Sequence, residues 1–234
     1  MTRTALLCSA SALMFCAAGT TLAAERARPA THLRGEVHRV IAAVPGAVTL
    51  YDQNSDDNGM PIISSNFTDE FDEFDSYGSD DFIVPPGHKW TIKQVEVTGT
   101  FSTAGDNGPA ESEKVLFYKD SGGLPGKLVA KCDTIEGKDN QGSFAIKLPN
   151  SCKVKLKGGQ KYWVSVVANI NFSCCGEWEW ETRNTENGNP AAWENPNGGF
   201  GSCRDWDAMT SCIGSYGEGP DFMFALKGED IVKE

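Results

Sequence analysis

In "CCGEWEWETR", residues 174 to 183, two adjacent cysteines precede a strict alternation of tryptophan and glutamate. Successive side chains of a strand point to opposite faces. Trp178, Trp180 and Thr182 therefore share one side, and Glu177, Glu179, Glu181 and Arg183 the other. Three chemistries compete for this pattern. Turned outward, the tryptophans make a flat platform for sugar rings, whose C–H surfaces are apolar and whose rims are polar; Trp193 and Trp206, in loop-like stretches nearby, would complete it, and Glu179 would accept hydroxyl hydrogen bonds. Turned inward, the tryptophans are core and the glutamates a solvated face eased by Arg183. The third is a general acid and base for glycoside hydrolysis, which needs carboxyls about 5–5.5 Å or about 6.5–9.5 Å apart. Glu177 and Glu179 would lie roughly 6.5–7 Å apart between α-carbons, but any alternating acidic strand passes that test. No histidine or nucleophile motif accompanies them, so catalysis ranks last.

A metal is the chemistry suggested by "YDQNSDDNGM", where Asp52, Asn54, Asp56 and Asn58 alternate. Oxygen donors at this spacing can wrap a structural calcium, with Asp52, Asn54 and Asp56 as the ligands. The competing reading is a polar turn rich in Asx residues; Asn54 and Ser65 stand where a helix-loop-helix calcium motif needs its first and twelfth ligands. In "TDEFDEFDSYGSDDF", residues 68 to 82, Phe71 and Phe74 are three apart and fit a short helical turn, with the carboxylates as a rim that calcium or a basic partner would neutralise. Two glycosylation sequons, at Asn66 and Asn171, matter only in a eukaryotic secretory route.

These residues sit in a chain whose first 23 residues read as a secretory signal peptide: Arg3, a short apolar run from Ala5 to about Ala18, and small residues up to Ala23. Its apolar run is too short for a good membrane span, and no later stretch qualifies as a transmembrane segment. A lipid anchor fits less well, since Phe15 precedes Cys16. Loss of residues 1–23 removes one positive charge, taking the formal net charge of −11 to about −12. Such acidity argues against nucleic acid as a partner and leaves neutral glycans, cations and basic partners. The expected location is extracellular or periplasmic.

Six cysteines remain after residue 23: Cys132, Cys152, Cys174, Cys175, Cys203 and Cys212. An even number in an exported chain implies a disulfide framework, with 15 connectivities open to six cysteines. Cys132 with Cys152 and Cys203 with Cys212 close short segments. Cys174 and Cys175 are then left to each other, although neighbouring α-carbons at about 3.8 Å fall below the usual disulfide range of about 4.4–6.8 Å; bonds to separate partners are the alternative. The three histidines all precede these cysteines, so no Cys/His zinc spacing exists.

Residues 24–46 read as a leader or linker and 47–230 as one domain. "GSFAIKL" and "DFMFALKG" alternate as half-buried strands. "KYWVSVVANI" is apolar on both faces, as expected of a strand covered on both sides. "WTIKQVEVTGTF" changes phase, which a bulge near Lys93 and Gln94 would reconcile. The 25 glycines and 11 prolines fall largely in turn clusters between such runs. Many short strands and no long amphipathic helix predict an all-β fold, an antiparallel β-sandwich of jelly-roll type, with a closed barrel as runner-up.

The ordered series "LYDQ", "DDFIVPPGHKWTIKQVEVTG", "LFYKDSGGLPGKLVA", "GSFAIKLPNSCKVKLKGGQKYWVSVVANINF", "EWEWETR", "PAAWENPNGGFG" and "DFMFALKG" resembles an extracellular module of secreted bacterial proteins, found alone, in tandem, or beside secreted peptidases and adhesion-type regions. The resemblance spans nearly all of residues 48 to 228. It implies a β-sandwich similar in layout to carbohydrate-binding ones and carries no activity with it. "SCCGE" departs from the pattern, where a cysteine-free turn is expected.

Overall fold

The computed structural model describes residues 46–68, 70–102, 108–152, 154–214 and 219–232. The expected signal peptide and all but the last residue of the leader lie outside them. In chain order the strands are β1 (Val48–Asp52), β2 (Ile62–Ile63), β3 (Ser65–Phe67), β4 (Tyr77–Val84), β5 (His88–Val97), β6 (Gly99–Phe101), β7 (Ser112–Asp120), β8 (Pro125–Ile135), β9 (Lys138–Asn140), β10 (Ser143–Lys147), β11 (Val154–Lys157), β12 (Gln160–Ile170), β13 (Trp178–Trp180), β14 (Thr182–Arg183), β15 (Ala192–Glu194), β16 (Asp207–Ala208), β17 (Asp221–Phe222) and β18 (Phe224–Val232). Two short helices, α1 (Phe172–Cys175) and α2 (Met209–Ile213), and a 3₁₀ turn at Asp72–Phe74 complete the set.

Two sheets form the antiparallel sandwich. One runs β1-β18-β5-β10-β9, with β11 also on β5; the other runs β16-β15-β4-β12-β7-β8, with β3 on β12. The β3–β12 pair is parallel. A three-stranded sheet, β2-β13-β6, and the β14–β17 pair complete the strand pairing. Between the main sheets lie Phe82, Val115, Phe117, Val164 and Val166 from one side and Trp90, Ile92, Val95, Ile146, Phe224 and Leu226 from the other, all in one buried cluster. Phe82 and Trp90 stack there at 6.2 Å and 8°.

Alternation places these residues, and where it breaks the backbone breaks with it. Opposite β18, Ile92 pairs with Gly228 and Gln94 with Lys227, so Lys93 is the extra residue that shifts the phase of β5. Trp90 and Ile92 before it and Val95 and Val97 after it all reach the same core. β12 is covered on both sides as its sequence implies: Trp163 and Val167 join Leu116, Tyr118 and Ala192 in a second apolar cluster.

Three disulfides join Cys132 to Cys152, Cys174 to Cys175 and Cys203 to Cys212, with α-carbons 5.7, 3.8 and 5.5 Å apart. The first ties β8 to the segment before β11, and the third ties the loop after β15 to α2. Among the described residues, no helix is long and apolar enough to cross a membrane.

Candidate functional site

Strands β3, β4, β7, β12 and β15 turn one of their faces away from the sandwich core. Registers fix what stands on it: Asn169 pairs with Ser112 and Asn66, Val167 with Lys114, Trp163 with Tyr118, and Glu194 with Tyr77. Trp206 lies edge-on to Tyr118, ring centroids 5.7 Å apart, and packs with Tyr77 on the second apolar cluster. Beside this aromatic floor is a polar groove of about 380 Å³ whose walls include Thr68, Glu111, Ser112, Lys114, Asp133 and Asn169.

Lys114 joins floor to groove. Its Nζ stands 5.3 Å from the centre of the Tyr77 ring and donates to Asn66 Oδ1 at 2.8 Å. Tyr77 Oη donates to the same oxygen at 3.2 Å. Further along, Asn169 Nδ2 donates to Ser112 Oγ at 2.8 Å, and Thr68 Oγ1 to Glu111 Oε1 at 3.1 Å. Lys131 and Asp133 form an ion pair at 2.8 Å. Burial pushes the Tyr77 hydroxyl up to about 12, helped by Asp75, Glu194 and Asp133. Burial also raises Glu194, to about 7 with help from Asp205, and lowers the Lys114 ammonium. Near neutral pH a carboxyl such as Glu194 both donates and accepts hydrogen bonds. Aromatic surface, amides, an ammonium and a carboxyl of mixed character on one rigid sheet face suit a ligand with apolar faces and hydroxyl edges.

Of the residues the sequence singled out as ligand-binding, Trp206 alone belongs to this face. Trp178 and Trp180 are fully buried. Their indole N–H groups donate to Gly142 O at 2.7 Å and Met223 O at 2.8 Å, and Trp180 stacks on Phe222 at 4.5 Å. Trp193 is 3% exposed and donates to Ile63 O at 2.9 Å. Neither face of these rings meets solvent, so the outward platform expected on them is corrected to core packing: the apolar side of β13 closes on the sandwich interior. Glu179 stands on the opposite side of β13, opposite Thr100 and Ile63. Burial, with Glu177 and Glu181, pushes it up to about 7. Arg183 leaves the glutamate face; it is buried opposite Asp221 and donates to Ser55 O at 3.2 Å.

No protein-family model matches the chain, and no curated protein matches it significantly.

Asp52, Asn54 and Asp56 each engage a different protein donor. Asp52 Oδ1 accepts from the Asn54 N–H at 2.9 Å, Asn54 Oδ1 from Thr98 Oγ1 at 2.7 Å, and Asp56 Oδ2 from Thr185 Oγ1 at 2.6 Å. Asp56 takes a positive φ of 70°, a conformation Asx residues tolerate. Hydrogen bonds from Thr185 and Asn184 hold its carboxyl below the usual range. Among the described residues, no three His, Cys, Asp or Glu side chains come together to hold a metal.

Sequence patterning does not single out Tyr77, Tyr118, Lys114, Asn66 and Asn169 as site residues. "EKVLFYKD" nevertheless contains the signal: Val115 and Phe117 alternate with Leu116 and Tyr118, so β7, like β12, is apolar on both sides. A strand of that kind in a two-layer fold has an apolar outer face that further residues, here Trp206 and Tyr77, pack against.

Proposed function

We propose that the protein is an exported, non-catalytic binding or accessory module that recognises carbohydrate or a cell-envelope polymer on the outer face of β4, β7, β12 and β15. The observation that carries this reading is the convergence of Tyr77 and Trp206, the latter backed by the buried Tyr118, with Lys114, Asn66, Asn169 and Glu194 on that face. The signal-like N-terminus and three disulfides support export, because such bridges persist in oxidising compartments. The resemblance to a module of secreted bacterial proteins agrees with it. A second reading, a structural or adhesion domain without a small-ligand site, draws support from the burial of Trp178, Trp180 and Trp193.

A glycan array probed with the purified protein separates the two. The binding reading expects retention by a restricted set of glycans, weakened about tenfold or more by Trp206→Ala, Lys114→Met or Asn169→Ala, with circular dichroism unchanged. Absence of binding to every glycan supports the structural domain.

A further inference from the structure

The "FDEF" and "FSCCGE" stretches, which play no part on the sheet face, meet elsewhere. Phe67, Phe71, Phe74, Phe172 and Phe200 wall a cavity of about 190 Å³, and among the described residues Glu177 also lines it. Phe172 stands edge-on to Phe67 and Phe71, at 5.6 and 5.0 Å, and Phe200 edge-on to Phe74 at 5.2 Å.

Local structure holds these walls. Asn171 caps α1, its side chain accepting from the Cys174 N–H at 3.2 Å, and the Cys174–Cys175 bridge closes the same turn. Gly176 succeeds it with φ 75°; a Cβ there would come within 2.9 Å of Ser102 O, so only glycine makes this bend and delivers Glu177 to the cavity. Across the cavity, the fully buried Asn195 donates to Glu73 O at 2.9 Å and Asp75 O at 2.7 Å and accepts from the Phe200 N–H at 2.9 Å, tying the 3₁₀ turn to the Phe200 loop. Glu70, Asp72 and Glu73, on and beside that turn, are exposed.

Chemistry narrows the occupant. A pure hydrocarbon would leave the Glu177 carboxylate desolvated, with the Ser102 hydroxyl and no counter-charge to balance it. A sugar would leave most hydroxyls without partners against phenyl walls. Among the described residues, a metal would find one carboxylate in the lining where several oxygen ligands are needed. A cation carrying alkyl groups meets both requirements: phenyl rings attract it through their quadrupoles, and Glu177 neutralises it. The size agrees, since a cavity of about 150 Å³ admits a benzene-sized group, and the exposed acids and overall negative charge draw a cation in.

We propose that this cavity binds a small organic cation, an alkyl-substituted ammonium group, caged by the five phenylalanines with Glu177 as counter-ion. Burial holds the Glu177 carboxyl above its usual range, against a hydrogen bond from Ser102 that lowers it, and such a cation relieves that penalty. The site is independent of the glycan face.

Calorimetric titration of the purified protein with choline, and with its uncharged isostere 3,3-dimethyl-1-butanol, tests this. Choline is expected to bind, and the isostere to bind about tenfold more weakly or not at all. Glu177→Gln, which keeps the side-chain size, is expected to weaken choline about tenfold, as is Phe200→Ala, at a residue already 46% exposed, with circular dichroism confirming that both variants fold. Trp206→Ala should leave choline binding unchanged. Equal affinity for the isostere, absence of choline binding to the native protein, or undiminished binding by both cavity variants would overturn the proposal.

Discussion

Trp178 is held by more than its hydrophobicity. Its indole N–H reaches Gly142 O, and a Cβ added to Gly99 would lie 2.6 Å from that same nitrogen. Trp178→Phe, which leaves a buried carbonyl without its donor, is expected to lower stability by about 1–3 kcal/mol, and Trp178→Ala by about 3–5 kcal/mol; urea denaturation reads both. A Trp178→Ala protein of unchanged stability would mean the ring is not in the core. The same residue marks where sequence reading stops. Alternation separates Trp178 and Trp180 from Glu177 and Glu179 without saying which side is wet, because that depends on β2 and β6, which pair with β13 from far away in the chain. Arg183 shows the converse. Its place in the alternation groups it with the glutamates, yet the strand is interrupted after Trp180 and the next pair, β14–β17, sets it opposite Asp221.

Among the elements, the two-sided burial of β12 and the bulge at Lys93 are both legible in the sequence, since each is a local pattern of apolar residues with one physical solution. The small sheets are not, because strands of two or three residues carry too little periodicity. The binding face draws on the first kind of signal, and its Lys114–Asn66 contact on neither, being a product of the parallel β3–β12 pairing. The disulfides differ in what they constrain. Cys132 and Cys152 are 20 residues apart, and their bridge restricts a long loop of the unfolded chain; Cys174 and Cys175 are neighbours and restrict almost none. Replacing the first pair by serine is expected to lower stability by about 3 kcal/mol, and replacing the second to change it by less than about 1 kcal/mol, as measured by denaturant unfolding. Equal losses would contradict this assignment of their roles.

Taken whole, the molecule buries acids that its composition shows only as net charge. Burial is the first cause of raised carboxyls at Asp75, up to about 6, and at Glu113, Glu179, Glu194 and Asp221, up to about 7. Asp80, fully buried, is raised as well, chiefly by burial and then by Asp221, and accepts from Gln53 Nε2, the Phe222 N–H and the Asp81 N–H at 2.7–2.8 Å. A carboxyl whose folded value exceeds its unfolded one near 4 binds more protons in the native state, so stability falls as pH rises from about 4 through about 7. Melting is expected to be higher at pH 5 than at pH 8 by roughly 5 °C, the effect of about 2 kcal/mol in a domain of this size. A melting temperature that rises over that interval would contradict the burial of these groups. Whether the outer face of the larger sheet receives a glycan is decided by following the Trp206 indole N–H signal in ¹⁵N-labelled protein titrated with envelope oligosaccharides. Glycan binding on this face shifts that signal together with the amides of Asn66, Lys114 and Asn169; shifts confined to other surfaces, or none with any oligosaccharide, would contradict it.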